Sequence, residues 1–132
     1  MAMDLMACML VLTGGFLGGV LRFAISGVVA RRLGETFPWS TLVVNVTGDV
    51  VIGGLAGAAA TAGGALATAA FREFAIVGIL GGYTTVSSFA LQTLSLAVDG
   101  ERLRAALNVV VSTVLGLAAV GAGFLLAARL LA

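Results

Sequence analysis

Thr41, Asn45 and Asp49 recur every fourth residue in an otherwise apolar run. A helix would carry all three on one face. The threonine hydroxyl and the asparagine amide can donate hydrogen bonds to an anion, whereas an ionised aspartate accepts only. Asp49 is therefore protonated, paired with a cation such as Arg22, or turned away from any anion path. A second group is the stretch Gly78-Ile79-Leu80-Gly81-Gly82-Tyr83-Thr84-Thr85-Val86-Ser87-Ser88-Phe89. Paired glycines, threonines and serines make a poor continuous helix. An unwound segment inside a bilayer survives only when buried in protein or lining a cavity. The alternative is a kinked but intact helix whose hydroxyls bond back to its own carbonyls. Asn108, Ser112 and Gly116 form a further stripe at four-residue spacing, which is either a row of donors along a path or polar glue between helices. Arg22 closes the run Gly14-Gly15-Phe16-Leu17-Gly18-Gly19-Val20-Leu21. It either snorkels to an interface or serves as an internal charge that attracts an anion or pairs with a buried group.

These groups bind rather than catalyse. The chain has no histidine or lysine, and its one cysteine, Cys8, cannot form an intrachain disulfide. No Cys/His set has metal-ligand spacing. No serine or cysteine is accompanied by an evident base, and Asp49 has no second carboxylate beside it. Seven arginines against six acids leave a net charge of +1, so nothing points to nucleic acid as a partner.

The elements that position these residues follow from hydropathy. Of 132 residues, 61% are hydrophobic and 10% charged, with a mean hydropathy of +1.18. Soluble domains carry about 25% charged residues, so this chain belongs in a bilayer. Its charges punctuate four apolar runs, 5–30, 40–62, 74–98 and 105–128. As helices these would be roughly 35–39 Å long, enough to cross a membrane with some tilt. The expected fold is all-α, a single four-span unit over 1–132, with its third helix broken mid-membrane. Phe37-Pro38-Trp39 reads as an interfacial anchor opening the second span. The turn between spans two and three is expected near Thr61-Ala62-Gly63-Gly64. Met1-Ala2-Met3-Asp4 lacks the basic start of a secretory leader, so the first run is read as a retained span. Gly14/Gly18, Gly15/Gly19 and Gly53/Gly57 are spaced for close helix packing. Arginine is nearly balanced between the two sides, which permits insertion either way round. Four helices with short loops leave little room for a pore within one subunit, so a path would be built with a second subunit.

The motifs resemble those of the Fluc (CrcB) fluoride channel family. Gly14-Gly15-x-x-Gly18-Gly19-x-x-Arg22 is similar to its first-span motif, Thr41-Leu42-x-Val44-Asn45-x-x-Gly48 to its second, and Gly78-x-x-Gly81-Gly82-x-Thr84-Thr85-x-Ser87-x-Phe89 to its third. The resemblance implies an antiparallel, dual-topology homodimer in the inner (plasma) membrane. It implies passive fluoride export through narrow pores at the subunit interface. A structural sodium ion on the dimer axis would be held by the backbone carbonyls of Gly81 and Thr84. Asn45 and Phe89 map to the pore, with Thr41, Ser88 and Ser112 at further polar pore positions. Fluoride is small and strongly hydrated, so such a pore must replace its water with donors and the positive edges of aromatic rings. This chain departs from the pattern at Val86, where a phenylalanine is usual, at Gln92 for a glutamate, at Asn108 for a tyrosine, and at Asp49 for a serine-like residue. Those departures leave open a channel made from two unlike paralogous subunits. A small proton-coupled exporter remains a further reading, with Asp49 as its only candidate carboxylate.

Overall fold

The computed structural model describes residues 4–132. Met1 to Met3, on which the reading of the leader rests, lie outside the described residues. Helix α1 runs Leu5–Leu33; Asp4 caps it, its side chain accepting from the Met6 amide at 3.3 Å. Arg31 and Arg32 occupy its last turn, where cations favour the negative end of the helix dipole. The chain leaves through Gly34 at φ 74°. Helix α2 runs Trp39–Ala62, with the Pro38 carbonyl accepting from the Leu42 amide at 3.0 Å. The Phe37 and Trp39 rings lie 4.8 Å apart at its mouth. It ends at Gly63, and both Gly63 and Gly64 take φ 60°, a left-handed conformation glycine adopts without strain. The turn thus falls where the sequence placed it.

A short 3₁₀ turn, Gly64–Ala67, leads to Thr68, whose hydroxyl caps the next helix by accepting from the Phe71 amide at 3.3 Å. Helix α3 covers 69–83. Its central part, Arg72–Leu80, is wound as a π-helix between regular turns at Ala69–Phe71 and Gly81–Tyr83. Thr84 and Thr85 leave helical geometry, and α4 follows over Val86–Val98. Helix α5 spans Arg102–Leu131.

Four helical stretches, Leu5–Leu33, Trp39–Ala62, Ala69–Val98 and Arg102–Leu131, are long and apolar enough to cross a membrane. All four extend beyond the apolar runs, the second by Trp39 alone. Charged residues near the ends prolong the helices because their heads reach the interface while their stems stay on the apolar surface.

The bundle is held by backbone-to-backbone packing. A side chain on Gly53, Gly57 or Gly123 would strike the carbonyl of Val120, Phe124 or Val50, so α2 and α5 meet along glycine. Helix α1 meets α3 in the same way, through Gly14 against Phe74, Gly18 against Ile79 and Gly82 against Gly15. Gly19 faces open space instead. Large side chains such as Phe16 and Phe23 point outward. Lipid is as apolar as leucine, so helices here gain little by burying large side chains and much by close contact.

Candidate conduction site

The interruption between α3 and α4 is satisfied by residues from other helices. Thr84 and Thr85 are extended, at φ −78°, ψ 161° and φ −151°, ψ 117°. In a continuous helix the Thr85 amide would bond to the Gly81 carbonyl. It donates instead to Asn45 Oδ1 at 2.8 Å, and Asn45 Nδ2 donates to the Thr85 carbonyl at 2.9 Å. Asn45 therefore serves as a two-pronged clamp on buried backbone, which leaves the Gly81 carbonyl without its helical donor. The Thr85 hydroxyl caps α4, accepting from the Ser88 amide at 3.1 Å. It also donates to Ser88 Oγ at 3.1 Å. Arg22 Nη1 donates to the Thr84 carbonyl at 3.3 Å. The Thr84 hydroxyl donates back to the Leu80 carbonyl at 2.9 Å. On the α2 side, Tyr83 Oη and Thr47 Oγ1 share a hydrogen bond of 2.8 Å.

Arg22 is half-buried, and its guanidinium is bonded to backbone. Its pairing with Asp49 does not form: among the described residues the ion pair present is Arg104 Nη1 to Glu101 Oε1, at 3.6 Å on the surface.

Two clefts flank the interruption. One, of about 250 Å³, is lined by Asn45, Asp49, Thr84, Thr85, Val86, Phe89, Ser112 and Thr113. The other, of about 130 Å³, is lined by Gly48, Asp49, Ile52, Ile76, Leu80, Gly81 and Thr84. Asp49 and Thr84 belong to both walls. Gly116 gives the Asp49 carboxylate its room, since a Cβ there would lie 2.7 Å from Oδ2. Asn45, Phe89, Val86 and Ser112 are brought together, as are Gly81, Thr84 and Asp49.

Other residues chosen from the sequence lie elsewhere. Thr41 is buried in α2 and lines neither cleft. Ser88 is turned back to the Thr85 cap. Asn108 is 1% exposed, donates to Thr93 Oγ1 at 2.8 Å and accepts from Ser112 Oγ at 3.3 Å. Of its two readings, the geometry fits glue between α4 and α5, because the amide is consumed by side chains on those two helices. Thr85 and Thr113 line the larger cleft without having been singled out. Thr85 was visible as half of a threonine pair. Thr113 spends its hydroxyl on the Val109 carbonyl at 2.7 Å, and sequence carried no sign of it. Gln92 Oε1 is buried without a donor, beside a third cleft of about 350 Å³ that includes Glu35 and Asp99. Among the described residues no three His, Cys, Asp or Glu side chains cluster to hold a metal.

The profile described as "CrcB-like protein, Camphor Resistance (CrcB)" matches residues 9–124. The chain belongs to the CrcB family. Its curated relatives include "Fluoride-specific ion channel FluC 4" of Brucella abortus biovar 1 (strain 9-941), 57% identical over 122 residues and 92% of each chain. "Fluoride-specific ion channel FluC" of Opitutus terrae (strain DSM 11246 / JCM 15787 / PB90-1) is 55% identical over 117 residues, 89% of each chain. The protein of the same name from Rhodospirillum rubrum (strain ATCC 11170 / ATH 1.1.1 / DSM 467 / LMG 4362 / NCIMB 8255 / S1) is 47% identical over 118 residues, 89% of this chain and 92% of its own. As a CrcB family member with four spanning-length helices, the chain is a multi-pass membrane protein.

Proposed function

We propose that this chain is a subunit of a fluoride-selective channel, not an enzyme, that lets fluoride leave the cytoplasm passively across the plasma membrane and so lowers its toxicity. The names of its relatives supply the ion. The observation that carries the reading for this chain is the cleft beside the interrupted helix. It gathers Asn45, Phe89 and Ser112 against Thr84 and Thr85, with the Thr85 amide and carbonyl both satisfied by Asn45 from α2. Irregular backbone is tolerated at membrane depth in such a place, which puts the interruption mid-membrane in this reading.

The cleft is open on one side, and Val86 is 79% exposed at its rim. A second copy inserted the opposite way round would close it, giving an antiparallel homodimer with conduction along the seam. The Gly81 carbonyl, freed when Asn45 takes its donor, and the Thr84 carbonyl are hard oxygen ligands that fit sodium. Bound on the dimer axis, sodium would supply positive charge for the exposed carbonyl dipoles. Arg22 does part of this by donating to the Thr84 oxygen, which keeps a second lone pair.

Liposomes containing this polypeptide alone should pass fluoride and exclude chloride, with no dependence on a pH gradient. Equal chloride passage would defeat the selectivity. Val86, which brings no aromatic edge to the cleft, favours a second reading in which the partner is an unlike subunit. In that case the chain is silent alone and active when a paralogous subunit is added. The presence of Asp49 in the cleft favours proton-coupled export over a channel only if efflux follows the pH gradient and is lost in Asp49→Asn.

A further inference from the structure

We propose that Asp49 is the counter-charge for a cation at the Gly81–Thr84 interruption, and that this engagement keeps its carboxylate from repelling an anion in the neighbouring cleft. The inference rests on the cation site proposed above and adds to it a residue that the carbonyl ligands do not require.

Four observations support it. Asp49 lines the small cleft together with Gly81, whose carbonyl lacks its helical donor, and Thr84, whose carbonyl accepts from Arg22 alone. The same residue lines the larger cleft with Asn45, Phe89 and Ser112, where a free negative charge opposes an anion. Repulsion between like charges is strongest where water is scarce. Among the described residues no protein cation pairs with it, since Arg22 bonds to the Thr84 carbonyl and the ion pair present joins Arg104 to Glu101. Gly116 leaves room for the carboxylate where it stands, since a Cβ there would lie 2.7 Å from Oδ2. A carboxylate so placed adds charge to a site otherwise built from neutral oxygens. Ligand charge count, together with site rigidity, tunes how tightly oxygen sites hold a hard cation.

The test is thermal melting of the detergent-solubilised full chain in sodium chloride against N-methylglucamine chloride. Wild type should be stabilised by sodium, and Asp49→Asn, nearly identical in shape, should need at least ten times more sodium for half the effect. Gly116→Ala keeps the charge but displaces it, so it should shift the sodium midpoint in the same direction. The double variant should add nothing to Asp49→Asn. In liposomes without sodium, wild-type fluoride efflux should fall at least tenfold, and Asp49→Asn should lose most of that dependence. If wild type responds to sodium and Asp49→Asn has the same midpoint, the role of Asp49 is refuted while the cation site stands. Absence of any sodium response in wild type removes the site and the inference together. Should Asp49→Asn not fold, an unshifted midpoint in Gly116→Ala overturns the proposal by itself.

Discussion

Replacing Asn45 with alanine removes both prongs that hold Thr85, and the cost can be worked from the geometry. Thr85 is 8% exposed, so its amide and carbonyl lose their partners, at 2.8 and 2.9 Å, without access to water. A buried polar group left unpaired costs about 1–3 kcal/mol. Polar contacts between membrane helices often measure nearer ~0.6 kcal/mol, because a loosened helix finds other partners. That escape is closed to the Thr85 amide unless it winds back onto Gly81 and erases the interruption. The expected loss is therefore roughly 2–4 kcal/mol. At about 4 °C per kcal/mol for a chain of this length, melting should fall by roughly 8–16 °C. Asn45→Asp retains the acceptor for the Thr85 amide but sets an acceptor against the Thr85 carbonyl, so it should be destabilised at least as much as a single lost bond. Melting of purified protein, alongside fluoride efflux from liposomes, measures both consequences. A melt within about 2 °C of wild type for Asn45→Ala, with efflux abolished, would show that the amide serves the ion directly and that the clamp is incidental.

Phe89→Ala should lower fluoride efflux by at least tenfold, with less than about 2 kcal/mol lost in stability, because the ring borders an open cleft and not a packed core; unimpaired efflux would take it off the path. Gly53→Ala forces a methyl group into the Val120 carbonyl and should cost about 1–3 kcal/mol, whereas Gly19→Ala, facing open space, should be close to neutral. Equal melts for those two variants would contradict the glycine seam. Asn108→Ala should lose about 0.6–1.7 kcal/mol and leave fluoride-over-chloride selectivity intact, since its amide is spent on Thr93. A change in selectivity measured by anion competition would place it back in the path.

The spans were legible because hydropathy has to be sustained over a bilayer, and Pro38, Gly63 and Gly64 mark ends by chemistry that needs no neighbour. The interruption at Thr84–Thr85 was legible for the same reason, since paired glycine and paired threonine weaken a helix locally. The partners that satisfy it were not. Asn45 shares a sequence face with Thr41 and Asp49, yet one clamps backbone, one is buried and one borders two clefts. Spacing of four fixes a face but not what lies opposite it. Arg22 and Asp49 were opposite charges in adjacent spans, and a backbone carbonyl took the guanidinium instead. A carbonyl released by a helix interruption has no sequence signature. Asn108 and Ser112 likewise carry donors at pore-like spacing, and only the position of Thr93 on α4 decides that the amide is consumed.

The wide winding of Arg72–Leu80 has a consequence for a helical wheel drawn on this chain. Residues there advance around the axis by less than the 100° of a regular helix, with the Gly81 amide reaching back five residues to the Ile76 carbonyl. A wheel drawn continuously across the third span therefore rotates everything after it out of phase. Rewinding 72–80 to regular pitch at unchanged length would swing Thr84 and Thr85 away from Asn45, whereas deleting one residue along with the rewinding would largely restore their bearing. Length in that short stretch, more than its side-chain identity, sets the compass bearing of the conduction site.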